Sequence, residues 1–103
     1  MYQVSNGFQV FMAESGPVGT AYMEAVSKMS EANALDRKTA ELAYIAVLSA
    51  ANMTGGLPFH VLSAKKLGAT REEIKSAVLV GLPAVGLAVI QALPVALQSY
   101  DEN

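Results

Sequence analysis

Residues 36–78 read DRKTAELAYIAVLSAANMTGGLPFHVLSAKKLGATREEIKSAV: three stretches of helical apolar spacing, separated by MTGG and LGAT. No part of it shows the strict alternation of a half-buried strand, and helix start and stop residues stand at its boundaries. Asp36 can cap a helix, its carboxylate meeting the free N–H groups and the positive end of the dipole. That helix carries Leu42, Ile45, Ala46, Leu48 and Ser49 and is expected to run to about Asn52. After the MTGG turn, Pro58 belongs in the first turn of the next helix, because deeper inside it would remove a hydrogen bond and clash with the preceding turn. Gly68 closes that helix as a left-handed cap after Lys65, Lys66 and Leu67, where cations suit the negative end of the dipole. Thr70 and Glu73 then form a capping box, T-x-x-E, ahead of Ile74, Ala77 and Val78.

On the N-terminal side, a short helix around residues 3–14 is expected to stop at Ser15-Gly16-Pro17, with Pro17 opening a second helix. Val18, Ala21, Tyr22, Ala25 and Met29 recur there at helical spacing and predict a buried stripe. On the other side, residues 76–100, SAVLVGLPAVGLAVIQALPVALQSY, carry no charge and meet the crude length test for a membrane span. Gly81, Pro83, Gly86, Gln91 and Pro94 divide that run, and no basic cluster flanks it. It is therefore predicted to be a core and interface segment of one or two helices kinked near Pro83 and Pro94. The whole chain, residues 1–103, is expected to be one all-α domain, a helical bundle of five to six helices.

Composition narrows the function. Of 103 residues, 52% are hydrophobic and 16% charged, against about a quarter charged in an average soluble domain. So much apolar surface on so short a chain predicts burial against other copies. The seven Lys and Arg residues are dispersed and the net charge is −2, which is not the footprint of a nucleic-acid binder. The absence of cysteine excludes disulfides, thiolate ligands and dithiol chemistry, and a single histidine excludes a multi-histidine metal site within one chain. The opening MYQVSNGFQV lacks the basic and long apolar regions of a secretory signal, so a cytoplasmic location is expected, with no membrane partner.

Two residues stand out chemically. His60 falls near a helix N-terminus, where the dipole disfavours the imidazolium and leaves a neutral ring able to accept a proton. Glu41 lies one turn into the preceding helix, ahead of the apolar LAYIAVL, and a partly buried carboxylate needs a partner. A short turn favours antiparallel helices and can bring the two together; pairing of Glu41 with Arg37 or Lys38 is the simpler alternative. Tyr44, one turn after Glu41, is either a hydroxyl for the same place or a core aromatic with its tip in water. Met53 opens the turn, and Gly55 and Gly56 either admit a ligand close to the backbone or supply left-handed turn dihedrals. GLPAVG is not a phosphate loop, since no lysine follows it.

From Leu35 to Ile74 the sequence resembles the carboxymuconolactone decarboxylase family, in particular its short alkyl hydroperoxidase D-like members, and the layout matches over about residues 16–97. The resemblance implies an all-α, homo-oligomeric protein, with trimers and hexamers frequent. In the redox-active branch a glutamate precedes C-x-x-C-x-x-x-H; Glu41 matches the glutamate, His60 the histidine, and the cysteine positions fall on Met53 and Gly56. Neither can form a thiolate, so a dithiol peroxidase cycle has lost its nucleophile and its resolving group. The decarboxylase branch also lacks the cysteine pair, and the resemblance there implies cofactor-free proton transfer on a small lactone acid. The expected function is thus decarboxylation or isomerisation of a small carbonyl or lactone acid in a pocket between the third and fourth helices. Glu41 would orient His60, and His60 would carry the proton. The competing expectation is a ligand-binding or assembly member that has lost catalysis.

Overall fold

The computed structural model describes residues 4–103, and every regular element among them is helical. Seven α-helices follow in order: α1 (Asn6–Glu14), α2 (Pro17–Ala32), α3 (Arg37–Ala50), α4 (Leu57–Lys66), α5 (Arg71–Leu79), α6 (Leu82–Val85) and α7 (Ala92–Asp101). Two 3₁₀ turns, Thr54–Gly56 and Gly86–Gln91, complete them. The expected first helix, 3–14, begins instead at Asn6, where Ser5 caps it, and residue 3 lies outside the described residues.

The caps expected from the sequence form as hydrogen bonds. Asp36 Oδ1 accepts from Thr39 N at 2.9 Å, Thr70 Oγ1 accepts from Glu73 N at 3.1 Å, and Glu73 Oε1 accepts in return from Thr70 N at 2.9 Å. Gly68, at φ 97°, closes α4 while Ala69 N donates to Ala64 O and Gly68 N to Lys65 O, the paired bonds of a Schellman motif. The third helix ends two residues before the expected Asn52, for a related reason. Asn52 takes φ 58°, and Met53 N donates to Leu48 O, so the left-handed cap is an asparagine, which tolerates that conformation better than most side chains. Gly55 and Gly56 are therefore not the left-handed residues; Gly56 sits at φ −85°.

Four helices make the core. The neighbours are α3 with α4, α4 with α7, α7 with α5, and α5 with α3, closing a ring. Ile45 and Leu48 of α3, Leu57, Val61 and Ala64 of α4, Ile74 and Val78 of α5, and Ala96 of α7 are buried at its centre. The C-terminus is latched to it. Tyr100 Oη donates to Ala69 O at 2.9 Å, Lys65 Nζ donates to Tyr100 O at 2.8 Å, and Arg71 grips Asp101 with two bonds of 2.9 and 3.0 Å.

The second helix departs from expectation. Val18, Ala21, Tyr22, Ala25 and Met29 are exposed, not buried, and Gly19 is the one buried residue of α2. The helix pairs with α1, where Phe11 meets Tyr22 edge-on at 5.7 Å, and scarcely with the four-helix core. Helical periodicity identified the apolar face, but nothing among the described residues covers it. The radius of gyration, 13.9 Å, is slightly above the roughly 13 Å of a compact 100-residue domain, as a projecting helix pair requires.

The run Arg71–Asp101 has the length and hydropathy of a membrane crossing. Pro83 and Pro94 stand in the first turns of α6 and α7, and Gly86 at φ 74° breaks the path between them. The expected kinks are therefore breaks. Ala77, Val78, Val89, Ala92 and Ala96 enter the core, whereas Val80, Leu82, Val85, Leu87 and Ile90 remain on the surface.

Candidate functional site

Glu41 and His60 meet. The Asp36 cap starts α3 so that Glu41 lies in its second turn, and Pro58 starts α4 so that His60 closes its first. His60 Nδ1 lies 3.1 Å from Glu41 Oε2 and 3.2 Å from Oε1, with side-chain exposures of 24% and 21%. An ionised carboxylate only accepts, so Nδ1 carries the hydrogen and Nε2 is left as the basic nitrogen of the neutral ring. Nε2 has no hydrogen-bond partner among the described residues. The alternative pairings of Glu41 are not made: Lys38 Nζ instead bridges to Glu73 Oε1 at 3.0 Å, and Arg37 makes no ion pair among the described residues.

The imidazole is held by rings as well as by the carboxylate. Tyr44, on the same face of α3 as Glu41, lies 4.3 Å from it between centroids, and Phe59 meets it nearly edge-on at 5.1 Å. Tyr44 is thus neighbour to the histidine, with nearly half its surface exposed. Met53 is exposed at the mouth of the turn. Gly56 faces inward: a Cβ there would stand 3.3 Å from Leu48 Cδ1 and 4.0 Å from His60 Cδ2. The second position of the lost cysteine pair therefore abuts the imidazole edge next to Nε2, and glycine leaves that edge clear.

A small open cleft of about 150 Å³ adjoins the pair. It lies where the end of α2 meets α3 and α4, and Ser30, Asn33, Arg37, Glu41, Ser63 and Leu67 line it. His60, Tyr44, Met53 and Gly56 are not among its lining residues. The carboxylate of Glu41 thus bonds His60 and also borders the cleft, and sequence reasoning named as a site residue only Glu41 among those lining it. It missed Ser30, Asn33, Arg37 and Ser63. The available signal was spacing: Arg37 precedes Glu41 by four residues and Ser63 follows His60 by three, each pair sharing a helix face.

The family model for the carboxymuconolactone decarboxylase family matches residues 17–98. Among solved structures, the chain is similar to a carboxymuconolactone decarboxylase family protein from Legionella pneumophila in its apo form. That similarity has a TM-score of 0.78 at 27% identity, over 93% of this chain and 86% of the other. No curated protein sequence matches. With the fold, the helix order and most of its length in agreement, the chain belongs to the carboxymuconolactone decarboxylase family.

Proposed function

We propose that the protein is a cofactor-free acid/base catalyst acting on a small carbonyl or lactone acid, with Glu41 and His60 as its working pair. The observation that carries this is the doubly accepted hydrogen bond from Nδ1 to the Glu41 carboxylate, which leaves Nε2 free. The cleft beside Glu41 supports a division of roles between the two residues. Glu41 borders the cleft and is the group that meets a substrate there; His60 holds the carboxylate in place and, through Nε2, exchanges protons with solvent. In an isomerisation the pair removes a proton beside the carbonyl and returns it at another carbon. In a decarboxylation the C–C bond breaks, CO₂ leaves, and the electron pair left on carbon takes the proton that His60 Nδ1 passes through the Glu41 carboxylate, while Nε2 takes its replacement from water. The protein works in the cytoplasm as a homo-oligomer, a trimer or hexamer, that covers the exposed faces of α2 and of residues 80–90.

The test is turnover. With small lactone and keto acids in D₂O, deuterium uptake or CO₂ release is expected from the unmodified protein and is expected to fall by at least about a hundredfold in Glu41→Gln and His60→Ala, the lower range for loss of a general acid/base. Undiminished rates in both variants would overturn the proposal. A second reading, a non-catalytic ligand-binding or assembly member, is favoured by Met53 and Gly56 at the cysteine positions, which leave a dithiol cycle without a nucleophile. It requires ligand binding without turnover, and assembly indifferent to Glu41 and His60.

A further inference from the structure

The polar groups around the cleft include a cation without a partner among the described residues. Arg37 is four residues before Glu41 on α3, the spacing at which the two ordinarily pair. Both Glu41 oxygens are instead turned to His60, and Arg37 forms no hydrogen bond or ion pair among the described residues. Two hydroxyls, Ser30 and Ser63, border the same cleft and are likewise unpartnered there. Asn33 accepts from Leu35 N through Oδ1 at 2.9 Å, which leaves its amide NH₂ as a further donor. Four side chains from α2, the residue that caps its end, α3 and α4 thus bring a guanidinium, an amide and two hydroxyls to one small space, with Leu35, Ala40 and Leu67 as its apolar lining.

We infer that this cleft is a carboxylate-binding subsite in which Arg37 anchors the acid group of a small organic acid. The inference rests on the proposed acid/base function and specifies its substrate class. A guanidinium fork matches a carboxylate with two parallel hydrogen bonds, and it offsets the repulsion that Glu41 alone would exert on an anion. Asn33 and the serines can donate to the remaining lone pairs. The volume, about 150 Å³, admits a short acid. Pairing with Arg37 stabilises a carboxylate and so opposes its departure as CO₂. The anchored carboxylate is therefore the retained handle, and the chemistry takes place at the carbons beside Glu41.

The probe is levulinate, a short keto acid, with its neutral methyl ester as control. Amide shifts of residues 33–41 are followed by ¹H–¹⁵N NMR in the unmodified protein and in Arg37→Gln, Arg37→Lys and Glu41→Gln. Levulinate is expected to saturate these shifts and the ester to bind at least about tenfold more weakly, the loss expected for a charge-assisted bond. Arg37→Gln is expected to weaken levulinate by a similar factor and Arg37→Lys by less, whereas Glu41→Gln, which removes a negative charge from the cleft, is expected to tighten it. Equal binding of acid and ester, unchanged affinity in Arg37→Gln, or no saturation by about 50 mM would each overturn the inference. Deuterium uptake beside the ketone is read separately. Arg37-dependent binding without uptake sustains the subsite and counts against acid/base turnover of this acid; uptake with binding indifferent to Arg37 does the reverse.

Discussion

Gly56 illustrates how much a single side chain decides here. In the redox-active branch that the sequence resembles, a cysteine stands at that position, and in this structure a side chain there would meet Leu48 and the edge of the His60 ring. Glycine at this position leaves the edge of the imidazole open. Because Gly56 has φ −85°, it is not there for left-handed geometry, and this sets the expected effect of Gly56→Ala. The methyl group restricts the unfolded chain, a gain of about 0.4–1 kcal/mol, while crowding of Leu48 costs about 1 kcal/mol. Urea denaturation should find a net change within about 1 kcal/mol, whereas a left-handed glycine would lose more than that. The pairing of Glu41 with His60 was legible because each lies at a fixed distance from a cap the sequence displays, Asp36 for one and Pro58 for the other. The cleft was not, because Ser30 and Asn33 reach it from the C-terminal end of α2.

At the scale of the element, local chemistry carried the reading and tertiary packing limited it. The Thr70–Glu73 box, the Gly68 cap and Pro58 depend on neighbours within a few residues and formed as expected. The apolar stripe of α2 was equally clear in the sequence, but which surface it meets is not encoded in its periodicity. The same elements give stability a pH dependence. Asp101 is held below the usual carboxylate range by hydrogen bonds from Arg71, Glu73 by the Thr70 backbone and Lys38, and Asp36 by the Thr39 backbone. Each folded pKa is depressed, so the stabilisation is complete above the unfolded values of about 4 and is lost as pH falls through the folded ones. The melting temperature should therefore hold between about pH 5 and 7 and drop below about pH 4. In Asp101→Asn that drop should be smaller, since one of the three groups no longer titrates; an equal drop would remove Asp101 from the account.

On the scale of the whole molecule, the distribution of apolar surface points to self-association. Val18, Tyr22 and Met29 on α2 are exposed at one helical spacing, and Val80, Val85 and Leu87 are exposed between α5 and the 3₁₀ turn at 86–91. A monomer of this size with two such faces is unusual, and a stable interface needs about 800 Å² from each partner. Sedimentation at micromolar concentration should detect an oligomer. Val18→Glu with Met29→Glu should dissociate it while leaving the helical circular dichroism of the core nearly intact, because α2 contributes little to the four-helix ring. A unmodified protein that sediments as a monomer would contradict this, as would a double variant that stays assembled.

The central claim is that Glu41 and His60 act as one unit, and the ring nitrogens of His60 report on it directly. With a single histidine in the chain, ¹⁵N NMR of the neutral imidazole gives the tautomer without ambiguity. The expected result is hydrogen on Nδ1 in the unmodified protein, held by the carboxylate, and loss of that preference in Glu41→Ala. Hydrogen on Nε2 in the unmodified protein, or a tautomer indifferent to Glu41, would contradict the account.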